Sequence, residues 1–290
     1  MDAEQYCQQQ AANSGSSFYY SFMFLEPKQR QAITAVYAFC RAVDDAVDDC
    51  SDPIVAAAAL NWWRSEIGRV FHGVPQHPIG LSLKHSLAHF DFSESHFNEI
   101  IDGMEMDIHP MRFQNFDELT IYCYRVAGVV GLLAANIFGF SDAKTLEYAK
   151  TLGTAFQLTN ILRDVGEDAQ RKRIYLPLDE LQRFKVTEAD ILNNTYSDAM
   201  RELLAFQGQR ANLFYEKAYA LLPDGDRYQQ RSGLIMAAIY QSLLSKITST
   251  NFAVLHQRVS INPLKKLWIA WKTNRAEKRH HSQQQRTAAH

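Results

Sequence analysis

The chain has 290 residues, 47% hydrophobic and 21% charged, with a formal net charge of −2. That composition suits a globular protein with a large core, and the balanced charge excludes the basic field of a nucleic-acid binder. With only 13 Gly and 8 Pro to punctuate it, the sequence predicts long uninterrupted helices and an all-α fold class.

The opening MDAEQYCQQQ lacks a basic stretch followed by an apolar one, so no secretion signal is expected. Residues 1–13 read as an N-terminal extension, 14–270 as one compact domain without internal repeat or linker, and 271–290 as a polar, basic, disordered tail. The first strong periodicity runs from about Lys28 to Cys50, where Ile33, Val36, Tyr37, Cys40, Val43 and Val47 recur three and four residues apart. Further helices are predicted near 54–72, 94–108, 117–138, 142–170, 188–222 and 228–256, with turn chemistry in GVPQHP (73–78) and LLPDGD (221–226). The most apolar run, VAGVVGLLAANIFGF (126–140), falls short of the roughly 20 residues that span a bilayer and contains Asn136, so it reads as a core helix. Cys7, Cys40, Cys50 and Cys123 lack zinc-type spacing and a disulfide framework, which points to small core residues and a cytoplasmic setting. His85 and His89 have no third ligand nearby and read as ordinary histidines rather than a zinc site.

The first helix ends in RAVDDAVDDC (41–50), a crowd of carboxylates that repel one another by a few tenths of a kcal/mol per pair. Tyr37, Arg41, Asp44 and Asp48 share one stripe that continues the apolar one, whereas Asp45 and Asp49 lie off it. A second acidic edge occurs in NILRDVGEDAQRKRIYLP (160–177), where Asn160, Asp164 and Asp168 follow at i, i+4 and i+8 with Gln157 on the same stripe. Either edge alone could be a solvated helix face. Carboxylates and an amide carbonyl suit Mg²⁺, which takes its remaining ligands from water and substrate phosphates. Two such edges facing each other would hold two or three ions around a diphosphate, with Arg41, Arg163, Lys172 and Arg173 beside them for the outer oxygens.

These residues carry a resemblance. YAFCRAVDDAVDD (37–49), YCYRVAGVVG (122–131) and QLTNILRDVGEDAQRKRIYLP (157–177), in that order, resemble the squalene and phytoene synthases, which join two isoprenoid diphosphates head to head. SGSSFYYSF (14–22) and DGMEMDI (102–108) look most like the bacterial presqualene diphosphate synthases of hopanoid pathways. The resemblance implies an all-α isoprenoid synthase fold with a central cavity. It implies Mg²⁺ ligands at Asp44, Asp48, Asn160, Asp164 and Asp168, and diphosphate contacts from Arg41, Arg163, Arg173 and Ser17. Tyr122 matches a tyrosine that handles protons near the reacting carbons, Tyr37 is a second catalytic candidate at a position lining the diphosphate pocket, and Phe18, Val126, Gly131, Gln157, Tyr240 and Arg258 fall at positions lining the substrate cavity. Where some relatives carry a His-Ser pair before the pocket Phe, this chain has Ser14 and Gly15.

The implied reaction ionises one farnesyl diphosphate in a water-poor cavity, joins it to the double bond of a second, and closes a cyclopropane by proton loss, with Tyr122 or released pyrophosphate as base. The alternatives are phytoene, dehydrosqualene or squalene synthesis, and outside enzymes a silent helical scaffold. NADPH is not expected, because no GxGxxG follows a predicted strand. Isoprenoid diphosphates are the implied partners, an oily substrate is compatible with peripheral contact with a membrane and with downstream pathway enzymes, and the oligomeric state stays open.

Overall fold

The computed structural model describes residues 2–13, 18–50, 52–109 and 111–288, and among them every regular element is a helix. The N-terminal half comprises α1 (Ala3–Asn13), α2 (Phe18–Phe22), α3 (Pro27–Asp48), α4 (Pro53–His72), α5 (Pro78–Leu87) and α6 (Glu94–Glu105). Then come α7 (Phe116–Cys123), a π-helical turn (Tyr124–Gly128), α8 (Val129–Phe138) and α9 (Lys144–Gln170). The C-terminal part holds the short α10 (Leu178–Arg183) and α11 (Glu188–Leu192), then α12 (Asp198–Leu221), α13 (Arg231–Ser249) and α14 (Pro263–Ala288).

Local chemistry sets the boundaries. Pro27, Pro53 and Pro78 open α3, α4 and α5, where their missing N–H costs nothing and their φ already fits. Side chains of Asp52, Asn115 and Ser197 accept from the first free N–H groups of α4, α7 and α12, and Thr187 with Asp190 forms a reciprocal capping box on α11. Gly139 ends α8 at φ 86, a backbone conformation that side chains resist.

Two apolar cores flank one cavity. The first gathers α3 to α6 with Phe39, Phe97, Ile67 and Leu83 at its centre; the second packs α9 against α12 and α13 around Leu162, Leu204, Tyr215 and Leu244. α9 is central because it meets α12, α8, the π turn and α13 together. Its close approach to α8 and the π turn requires glycine: a Cβ at Gly131 would stand 2.3 Å from Ala149 O, and one at Gly153 2.3 Å from Ala127 O. Backbones this close let α8 and α9 form a thin shared wall.

Several expectations are corrected. Residues 3–13, read as an N-terminal extension, form α1, which packs on α3 and α5, burying Cys7 and Ala11, and Glu4 accepts from Gln31. α5 escaped the periodicity because its buried face mixes Ile79 and Leu83 with Gly80, Ser82 and Ser86, while Leu81 is exposed. The predicted 188–222 helix breaks at Asn194, whose φ of 53 is left-handed, and the 228–256 helix stops at Ser249, before Asn251 and Phe252 turn left-handed. The stretch 271–290, expected to be disordered, is helical through Ala288. Beyond Ala270, α14 docks through polar groups that apolar periodicity cannot report: Glu277 is buried and paired with Arg227 at 2.7 Å, and His281 stacks on Tyr228 at 4.4 Å. Residues 116–138 form one helical run, longer than the apolar stretch read from sequence and long enough to cross a membrane, yet it serves as cavity wall.

Candidate active site

α3 and α9 supply the two acidic edges, and the fold sets them across one opening. A polar mouth of about 690 Å³ is lined by Asp44 and Asp48 from α3 and by Asn160, Asp164 and Asp168 from α9. Beneath it lies an apolar chamber of about 190 Å³. Phe18, Tyr37, Val126, Gln157 and Asn160 border both, forming a collar between charge and hydrocarbon. Gly131 lines only the chamber; Tyr122, Arg41, Arg163, Arg173, Tyr240 and Arg258 line only the mouth. Ser17 lies outside the described residues. Asp45 and Asp49, placed off the stripe by sequence, also reach the rim of the mouth, because the helix end opens there to solvent.

The charges interlock. Arg41 is held by Asp44 at 2.7 Å and also pairs with Asp45. Arg173 Nη1 donates across the opening to Asp48 at 2.6 Å, with Arg171 on the same carboxylate, so the segment after α9 is tied to the end of α3. Arg163 Nε donates to Asp164 Oδ1 at 2.7 Å, and Arg258 approaches that oxygen at 3.3 Å. Lys172, read beside the diphosphate, takes a left-handed φ of 59 and is exposed, absent from the lining of the mouth.

Negative charge remains in excess on the facing edges. Burial, with Asp48 next, pushes the Asp44 carboxyl up to about 6 against the pull of Arg41. Burial and the neighbouring Asp164 and Asp107 push Asp168 up to about 8, with Arg173 and Arg171 opposing. The buried Asn160 Oδ1 accepts no hydrogen bond from the protein, although burial of such an atom costs about 1–3 kcal/mol. An orphaned amide oxygen on the same edge as crowded carboxylates fits a hard divalent cation. Among the described residues no three His, Cys, Asp or Glu are drawn into a ready-made cage.

Asp107 and Tyr175 are functional candidates that sequence reasoning missed. Asp107, 9% exposed, accepts from Tyr122 Oη and from Tyr175 Oη, each at 2.7 Å, while its backbone oxygen accepts from Arg173. The two tyrosine rings stack at 5.2 Å. Burial raises the Asp107 carboxyl although both hydroxyls and Arg173 oppose it, and burial with Asp107 drives the Tyr122 phenol far up. Tyr122 is therefore a neutral phenol that donates to Asp107. DGMEMDI and RIYLP contain both missed residues, but neither falls on a helical stripe with the other ligands. The π turn directly after Tyr122 brings Val126 to the collar, in keeping with the use of such turns at functional sites.

Of the remaining calls, His85 and His89 meet each other edge to face at 5.7 Å and are exposed, and all four cysteines are free, with Cys7 and Cys123 buried.

Comparison with known proteins agrees with this architecture. Residues 11–265 match the squalene/phytoene synthase family model. The chain is 37% identical to a phytoene synthase of Arthrospira platensis, covering 92% of this chain and 90% of that protein. It is 35% identical to a 15-cis-phytoene synthase of Synechocystis, covering 93% and 85%. Among solved structures, a dehydrosqualene synthase in complex with ligand superposes with a TM-score of 0.84 at 28% identity, over 95% of this chain and 96% of that one. The squalene synthase HpnC from Alicyclobacillus acidocaldarius gives 0.77 at 26% identity, over 86% and 94%.

Proposed function

Because the chain belongs to the squalene/phytoene synthase family, a family of head-to-head isoprenoid synthases, we propose that it condenses two farnesyl diphosphates into presqualene diphosphate and pyrophosphate. The observation that carries this reading is the collar of Phe18, Tyr37, Val126, Gln157 and Asn160, where an anion-handling mouth meets an apolar chamber. A diphosphate with a prenyl tail has that polarity along its length.

Asp44, Asp48, Asn160, Asp164 and Asp168 would hold Mg²⁺, which when bound neutralises diphosphate oxygens. Arg41, Arg163 and Arg173 exchange part of their pairing with Asp44, Asp164 and Asp48 for diphosphate oxygens, stabilising the charge that develops as the donor C1–O bond breaks. Diphosphate leaves with the electron pair. The C2–C3 double bond of the second molecule then attacks C1, placing the cation on its C3. Phe18, Tyr37, Phe156 and Tyr240 surround that region with aromatic faces and exclude water, and Phe18 touches the other three at centroid distances of 5.8 to 6.5 Å. Loss of one proton closes the cyclopropane. The proton goes to released pyrophosphate, with Tyr122 as a neutral phenol that Asp107 orients.

The C15 substrate is supported by the bulk of Phe22, Phe138 and Tyr148 around the chamber, and by solved neighbours named for dehydrosqualene and squalene. A phytoene-synthase reading is favoured by the names of the curated relatives. Incubation of the protein and Mg²⁺ with farnesyl or geranylgeranyl diphosphate, with mass spectrometry of the products, separates them. Presqualene diphosphate from the C15 substrate, with and without NADPH, is expected. A C40 product formed preferentially would establish the second reading, squalene made with NADPH would overturn arrest at the cyclopropyl diphosphate, and no pyrophosphate from either substrate would overturn both.

A further inference from the structure

α14 has two opposite faces, and only one is used by the fold. Ile269 and Ala270 pack on Ile235 and Ile239 of α13, with Tyr20 and Phe24 beside them, and Asn274 and Glu277 continue that buried side. Turned away from it are Leu264 (77% exposed), Leu267 (41%), Trp268 (55%) and Trp271 (51%). Their spacing of three and four residues makes one outward apolar stripe. Two exposed tryptophans on one helical face are costly in water and are characteristic of interfaces between water and hydrocarbon.

Charge says what covers the stripe. α14 contains seven of the chain's 30 basic residues and one of its 32 acidic ones, and that one, Glu277, is buried and paired with Arg227. The rest of the chain is therefore acidic while this helix is strongly basic. Lys272 lies over Trp268 at 5.0 Å and Arg275 over Trp271 at 5.4 Å, so each exposed ring carries a cation at its side. A protein partner would need a large acidic surface with apolar pockets; an anionic bilayer supplies headgroup charge and acyl chains in this layered order.

Position adds a third argument. Lys266, one position before Leu267, lines the polar mouth, as do Ser260 and Ile261 just before the helix. Tyr19 is exposed on α2, the element that packs beside α14, and Met23 is exposed just after it. The patch thus adjoins the entrance of the cavity. We propose that the outward face of α14 docks the protein on anionic lipid bilayers, Leu264, Leu267, Trp268 and Trp271 entering the headgroup region while Lys265, Lys272, Arg275 and Arg279 meet the lipid charge. Docked in this way, the mouth opens next to the bilayer, where amphiphilic diphosphates with long apolar tails partition.

The test is flotation of the full-length protein with vesicles of phosphatidylcholine alone or mixed with phosphatidylglycerol, together with tryptophan emission. Binding to the mixed vesicles only, weakened by salt and accompanied by a blue shift, is expected. Lys272→Gln with Arg275→Gln should weaken binding about 25-fold, taking roughly five-fold for each basic residue at the surface. Trp268→Ser with Trp271→Ser should weaken it at least about ten-fold and remove the blue shift. Both pairs should keep wild-type circular dichroism and detergent-dispersed turnover, because none of the four lines the mouth or the chamber. Failure of the wild type to bind, or equal binding by both double variants, would overturn the proposal. So would loss of self-association in the variants with vesicle binding unchanged, which would make the face a contact between copies. Because the readout is binding, the result is independent of which prenyl diphosphate the enzyme consumes.

Discussion

Asp107→Asn probes the least expected part of the site. The carboxylate accepts two phenol hydrogens at 2.7 Å from inside the protein. Hydrogen bonds to a charged group contribute about 1.5–3 kcal/mol each. The amide that replaces it can accept one hydroxyl through its oxygen, but its NH₂ group confronts the other hydroxyl, which must reverse to act as acceptor. We estimate a loss of about 2 kcal/mol, one charged hydrogen bond degraded and the other reoriented. At roughly 1.5–2 °C per kcal/mol for a chain of 290 residues, that lowers the melting temperature by about 3–4 °C. Tyr122→Phe removes the same bond from the other side and leaves one carboxylate oxygen short of a donor. The assay is a double-mutant cycle of thermal unfolding, run beside turnover. A coupling of about 1 kcal/mol or more is expected between the two substitutions, since residues sharing a hydrogen bond are non-additive. Turnover should fall in Asp107→Asn beyond the fraction unfolded, because Tyr122 loses its orientation. Additive melting shifts with undiminished turnover would refute the reasoning.

Three further outcomes are expected. Gly153→Ala places a Cβ 2.3 Å from Ala127 O, a backbone atom that cannot rotate aside, so urea unfolding should show a loss of about 1–3 kcal/mol or more; an unchanged midpoint would contradict the tight approach of α9 to the π turn. Burial works to raise the Asp226 carboxyl, but hydrogen bonds from Ser141, Thr145 and the backbone of Asp142 prevail and hold it below the usual range. A folded-state value below the unfolded one means its stabilisation is present above the ordinary carboxylate range and lost as pH falls through the lowered value. Asp226→Asn should therefore cost about 1–3 kcal/mol at neutral pH and progressively less in acid; a pH-independent difference in unfolding free energy would sink that account. Asp164→Asn should reduce pyrophosphate release by at least about 100-fold with circular dichroism unchanged, and near-normal release would remove Asp164 from the diphosphate machinery.

Much of the site was legible because helix geometry is local. The four-residue spacing of Asp44 with Asp48, and of Asn160 with Asp164 and Asp168, already puts each set on one edge, whatever surrounds the helix. The apolar residues next to them show that each edge continues into a core. Asp107 and Tyr175 were hidden for the opposite reason. One follows the end of α6, the other lies beyond α9, and only the packing of these segments brings both onto Tyr122.

The tail shows the same limit. Apolar periodicity detects helices that dock by hydrocarbon, whereas α14 is secured partly by Glu277 with Arg227 and by His281 on Tyr228. Sequence alone determined the helical class, the two acidic edges and the family likeness, since each is written in spacings of a few residues along one chain segment. Tertiary structure decided which edges face each other, where the mouth narrows to an apolar chamber, and which face of α14 is left to solvent. Those are contacts between segments far apart in the chain, and their geometry is set by how whole helices pack rather than by any local pattern.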